Sequence, residues 1–170
     1  MKDTILGRAA NTRRFYNAEL NNCWIVLGGS TPWPTEPTPP EEDVTLVEVP
    51  ELAVAKLASL QLVVPDPLGT IVYYDNNNQE RKYREIAVGD IVAEDCTRIL
   101  FSTTLLGSEV DSSTGLRVLG VAVGVQGSVG GGLLAPEEVT DPGELCAVEY
   151  RRPLYLNGSS SYAINIMLEF

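Results

Sequence analysis

The chain has 170 residues, 44% hydrophobic and 21% charged, a folding composition with enough apolar material for one sizeable core. Its formal net charge of −11 opposes nucleic-acid binding, which needs Lys and Arg against phosphate, and favours solubility or a partner with basic surfaces. Histidine is absent, and three cysteines stand far apart at 23, 96 and 146, so the commonest general base and the usual zinc spacings are missing and free, buried thiols are expected.

No apolar run approaches the roughly 20 residues of a membrane span. The opening MKDTILGRAANTRRF lacks the continuous apolar stretch of a secretory signal, so a soluble protein made in the cytosol is expected. Residues from about 5 to 20 predict a helix, with Ile5, Ala9, Tyr16 and Leu20 on one face and Arg8, Arg13 and Arg14 around it. Asn21-Asn22 stops it, and Cys23–Leu27 predicts a buried strand ended by Gly28-Gly29.

A proline-rich arm follows over residues 30–43, with Pro32, Trp33, Pro34, Pro37, Pro39 and Pro40. Each proline ring removes a backbone donor and fixes φ, so the tract suits neither helix interior nor central strand. It predicts an extended, pre-ordered arm with little conformational entropy left to lose on docking. Val44–Val49 is mostly apolar in both alternating sets and predicts a strand covered on both sides. Pro50 suits a first helical position, predicting a short helix over Glu51–Leu57.

Leu60–Val64, Thr70–Tyr74 and Arg81–Val88 predict neighbouring strands, separated by the turn signals Pro65-Asp66-Pro67 and Asp75-Asn76-Asn77-Asn78. A turn or single helical coil is expected between Gly89 and Asp95, then strands over Arg98–Thr104 and Gly115–Val125, and a flexible loop at Gly127–Gly132. Leu145–Tyr150, Pro153–Leu156 and Tyr162–Phe170 close the chain, with a turn at Asn157-Gly158 longer than two residues. In the last strand Tyr162, Ile164, Ile166, Leu168 and Phe170 share one face, opposite Asn165 and Glu169. Many short strands with few helices predict a mainly-β fold: an antiparallel β-sandwich with an N-terminal helix and one or two short helices, as a single domain over residues 1–170.

No catalytic, cofactor or metal constellation emerges. GSVGGG lacks the lysine and hydroxyl residue of a phosphate loop, and no GxSxG elbow is present. Glu94-Asp95 beside Cys96 reads as a surface turn, since neighbours on an extended chain point to opposite faces. Glu41-Glu42-Asp43 and Glu137-Glu138 read as solvated turns, with contact to a basic partner surface as the functional alternative. Asn157-Gly158-Ser159 matches a glycosylation triplet but reads as a turn. Trp33 leaves two readings open: a ring folded back on its own domain, or an aromatic anchor at an interface. Arg151 and Arg152 before Pro153 either pair with acidic neighbours or mark an exposed strand edge kept from pairing by charge and proline.

Two blocks at opposite ends carry a resemblance. Phe15, Tyr16 and Asn17, the strand Trp24–Leu27, the Gly28-Gly29 pair, Ser30, Pro32 and Trp33 resemble the opening of the T-even-type bacteriophage baseplate wedge proteins of the gene-product-8 type. Gly143, Glu144, Arg152, Pro153, Ile164, Asn165, Ile166 and Phe170 resemble that family's ending. The match covers roughly a third of the chain; the chain is much shorter than the T-even member, so the middle is read as keeping the core sandwich without inserted subdomains. The resemblance implies a non-catalytic structural subunit of the tail baseplate, made in the host cytoplasm. Its implied partners are other baseplate or tail proteins, fibres included, with a homodimer allowed and neither nucleic acid nor membrane. Pro32, Trp33, Pro34, Pro37, Pro39, Pro40, Arg151 and Arg152 are the expected interface residues. Two other readings stand beside it: a neck or fibre-attachment protein, and a small β-sandwich module binding peptide or sugar on Trp33 or on Tyr73 and Tyr74.

Overall fold

The computed structural model describes residues 4–51, 54–75, 79–110, 115–128 and 132–170. Helix α1 (Ile5–Glu19) precedes β1 (Cys23–Gly28), β2 (Val54–Leu57), β3 (Ser59–Pro65), β4 (Ile71–Tyr74), β5 (Glu80–Glu85) and β6 (Arg98–Leu106). There follow β7 (Leu116–Val123), β8 (Gln126–Gly127), β9 (Leu133–Leu134), β10 (Val139–Asp141), β11 (Glu144–Leu154) and β12 (Ser161–Glu169). Single 3-10 turns occur at Val88–Asp90, Gly107–Glu109 and Pro136–Glu138. The chain is mainly β with antiparallel sheets and one N-terminal helix, as expected, and consistent with a β-sandwich-like fold. Two compact units divide it: Met1–Leu20, Ser59–Phe101 and Met167–Phe170 in one, Asn21–Ala58 and Ser102–Ile166 in the other.

In the first unit, the Thr4 hydroxyl caps α1 by accepting from the Gly7 amide at 3.1 Å. The helix buries Ala9 and Thr12, and the Thr12 hydroxyl donates to the Arg8 carbonyl at 3.0 Å, so a polar residue sits inside at little cost. Phe15 meets Phe101 edge to face at 6.2 Å and Phe170 at 5.5 Å. Leu20, expected on the apolar face, is 40% exposed, because the helix ends at Glu19 and the side chain lies beyond its last turn. Strands follow the order β6-β3-β5-β4, with Val63, Tyr73, Tyr83 and Leu100 forming a core.

The second unit is built on an antiparallel sheet of order β11-β7-β1-β2-β9, with β1 at its centre. Cys23 pairs with Val123 and Gly28 with Val118 along β1 and β7, while Trp24 to Leu27 pair with Leu57 to Val54 of β2. β7 is buried on both faces, which explains the continuous apolar run Val118–Val123.

Three expectations are corrected. Val44–Val49 is not a strand, because both edges of β1 are occupied and Asp43 bends the chain by accepting from the Thr45 amide (2.9 Å) and hydroxyl (2.6 Å). The helix over Glu51–Leu57 does not form: Glu51 takes a left-handed φ of 52°, and Val54–Leu57 pairs with β1 instead. Leu145–Tyr150 and Pro153–Leu156 are not two segments but one strand, β11, with register shifts between Leu145 and Ala147 and between Tyr150 and Leu154. Pro153 is tolerated there because β11 is an edge strand. Asn76 to Asn78 and residues 129–131 of the glycine-rich loop lie outside the described residues.

Candidate partner-binding surface

The segment from Gly29 to Glu51 leaves the sheet at the end of β1 and crosses one face of it as a strap. Its two feet meet where the Gly29 amide donates to the Pro50 carbonyl at 2.9 Å. On the underside, Trp33, Leu46 and Val49 pack with Val26, Val118, Ala122 and Tyr150 of the sheet. Proline rings hold the intervening backbone in few conformations, so the strap is pre-ordered. It is fastened to its own sheet and does not stand away as an extended arm.

Trp33 is half-buried, its ring 5.0 Å from that of Tyr150 and tilted by 31°. Its indole Nε1–H donates to the Arg151 carbonyl at 3.1 Å, so the polar atom under the strap is satisfied. Of the two readings left open by sequence, the ring is folded back on its own unit.

Arg117, only 1% exposed, fixes the first part of the strap. Its Nη1 donates to the Ser30 and Gly115 carbonyls at 3.0 and 2.9 Å, and its Nε pairs with the Glu36 carboxylate. The same Glu36 oxygen accepts from the Trp33 amide at 3.2 Å. The hydrogen bond from Arg117 is the main reason that the Glu36 carboxyl lies below its ordinary pKa. One buried cation thereby ties β7 to both the start and the turn of the strap.

Glu51 closes the far end. Its carboxylate accepts from the Ser30 and Thr31 hydroxyls and from the Thr31 amide at 2.8 Å. Those bonds, that from Ser30 foremost, lower its pKa to about 2. The hydroxyl and amide of Thr45 likewise hold Asp43 below the usual range.

Of the expected interface residues, Pro32, Pro34, Pro37 and Pro40 are exposed on the strap and Pro39 is half-buried. Arg152 is exposed. Arg151 is half-buried and engaged: Nε and Nη2 bind the buried Glu149 carboxylate at 2.7 and 3.0 Å, and Nη2 also donates to the Asn165 carbonyl at 2.6 Å. Arg151 therefore pairs with an acidic neighbour, while Arg152 keeps the edge charged. Sequence reasoning missed Arg117, Glu36 and Glu51. A lone arginine at position 117, beside an otherwise apolar run, was the available signal.

Other candidates disperse. Tyr73 is buried in the first unit's core while Tyr74 is exposed, so the two rings form no common platform. Glu94 pairs with Arg84, and Cys96 is buried with its thiol donating to the Val63 and Arg98 carbonyls; burial pushes that thiol's pKa up, away from nucleophilic use. All three cysteines are thiols, Cys23 and Cys96 buried as expected and Cys146 only partly so. Among the described residues, no three potential ligands come together for a metal.

Beside the strap, two grooves open on the second unit. One, of about 190 Å³, is lined by Val26, Val47, Val49, Ala122, Val125, Pro142 and Leu145. The other, of about 250 Å³, is lined by Glu42, Asp43, Val44, Leu46, Leu145 and Val148.

These features describe a β-rich structural module with a preformed outer surface. The model of the family described as "Baseplate wedge 3 tail fiber network component" matches residues 3–170, and the chain belongs to that family. It is thus a structural component of a phage tail baseplate wedge, in agreement with the resemblance carried by the two terminal blocks. Membership gives it other baseplate and tail components as partners and lends no support to a homodimer. Comparison with curated proteins returned no match.

Proposed function

We propose that this chain is a non-catalytic docking subunit of the wedge, which holds neighbouring baseplate proteins, tail fibres among them, against the outside of its strap. The observation that supports this is the division of labour along residues 30–43. Trp33 and Glu36 are bonded inward, while Pro32, Pro34, Pro37 and Pro40 present exposed rings on a backbone already held in place. A surface ordered in advance loses little entropy on docking. Pro39, Arg151 and Arg152 complete this interface, Arg151 mainly by fixing β11 under Trp33.

The test is mass spectrometry of purified particles, with the chain expected in a fixed ratio to other baseplate proteins. Its absence from particles overturns the reading. Replacing Pro34, Pro37 and Pro40 together by serine should reduce incorporation while the isolated chain keeps its sheet content. A neck location would show as co-purification with head-completion components instead of baseplate ones.

A further inference from the structure

The charge of this chain is unevenly placed. Residues 29–55 hold Glu36, Glu41, Glu42, Asp43, Glu48 and Glu51, and residues 118–150 hold Glu137, Glu138, Asp141, Glu144 and Glu149, with no Lys or Arg in either stretch. The remaining twelve carboxylates are matched by the twelve Lys and Arg, so the whole formal charge of −11 resides on these two stretches. They also supply most of the lining of both grooves, where every charged lining residue is a carboxylate: Glu42, Asp43, Glu48 and Glu51.

The grooves meet at Leu145, which lines both. The smaller is apolar at its base, and a cavity of about 150 Å³ already admits a benzene ring. Its volume of about 190 Å³ therefore suits one ring or branched aliphatic side chain. Val44 and Val47, which help line the grooves, are 91% and 80% exposed, the kind of apolar exposure that docking covers.

Resting on the baseplate reading above, we propose that the two grooves form one docking site for an extended segment of another baseplate protein. That segment places an apolar side chain in the smaller groove beside Val47 and lays flanking Lys or Arg along Glu42, Asp43 and Glu48. A second copy of this chain is disfavoured as occupant because its corresponding face carries the same carboxylates. Nucleic acid is repelled by the same charge.

The experiment places a photo-cross-linking residue at Val44, Val47 or, as a control in the first unit, Tyr74, in chain supplied during infection. Particles are then purified and cross-linked peptides sequenced. Positions 44 and 47 should link to one stretch of another particle protein in which Lys or Arg flanks an apolar residue, and position 74 should not. The double variant Glu42→Lys with Glu48→Lys should enter particles at least ~10-fold less than wild type while the isolated chain still unfolds cooperatively. Links to a second copy, links to an acidic stretch, no links, or full incorporation of the double variant overturn the groove proposal while the chain's presence in particles upholds the baseplate reading. Absence of the wild-type chain from particles overturns both.

Discussion

Val49 of the strap rests on Gly120 of β7: a Cβ added at residue 120 would come within 2.5 Å of Val49 Cγ2, 2.7 Å of Val26 Cγ2 and 2.9 Å of Leu145 Cδ1. The missing side chain is what lets the strap lie flat on the sheet. Gly120→Ala should destabilise the fold by about 1–3 kcal/mol through overpacking. Denaturant unfolding gives the magnitude, and proteolysis within residues 40–50 should quicken in parallel. An unchanged midpoint would show that Val49 is not seated there.

Trp33 tests how the strap is held. Trp33→Ala removes a half-buried ring from Tyr150 and should cost about 1.5–2.5 kcal/mol, less than a fully buried tryptophan. Trp33→Phe keeps one ring while losing the Nε1–H donor to the Arg151 carbonyl and part of the bicycle's contact area, at about 1–1.5 kcal/mol. If the alanine variant unfolds no more easily than the phenylalanine variant, stacking on Tyr150 is not what fastens the strap.

Arg117 bonds two carbonyls and a carboxylate from a fully buried position. Arg117→Leu leaves the Ser30 and Gly115 carbonyls without that donor and should cost about 2 kcal/mol or more. Adding Glu36→Gln to this variant should cost less than Glu36→Gln does alone, since the shared interaction is already gone. A double-mutant cycle in urea measures the coupling, and strict additivity would remove the pair from the account.

Acid should loosen the strap. Glu51 has a folded-state pKa of about 2, below the ordinary carboxyl value of the unfolded chain, so its contribution is fully present above that ordinary value. It fades as pH falls from about 4.5 towards 2. Glu36 and Asp43 are shifted in the same direction and add to the same trend. Thermal midpoints of wild type and Glu51→Gln should therefore differ at pH 7 and converge near pH 2; curves parallel over that window would contradict it.

The reading of the chain as one domain predicts a single cooperative unfolding transition by scanning calorimetry, with matching calorimetric and van't Hoff enthalpies. Two resolved transitions would divide it.

Most strands were legible because apolar periodicity and turn residues mark them directly, as with Cys23–Gly28 and Ser161–Glu169. Val44–Val49 was not, because a valine-rich stretch between prolines resembles a strand whether or not an edge is free to pair with it. Glu51–Leu57 failed for the converse reason: β1 offered an open edge, and pairing overrode local helix preference. The prolines announced a rigid segment, yet nothing local shows which way such a segment turns. That direction is decided by Arg117, Tyr150 and Glu51, each distant in sequence from Trp33 or Ser30.

The two feet of the strap stand one hydrogen bond apart at Gly29 and Pro50, and its first foot continues directly into β1. β1 is the third of five strands, flanked by β7 and β2 along most of its length. A tug on the strap's tip is therefore carried into the middle of a sheet, where it must shear two ladders at once instead of peeling one from an edge. Mechanical strength at this attachment point follows from strand order, independently of how tightly any neighbour binds.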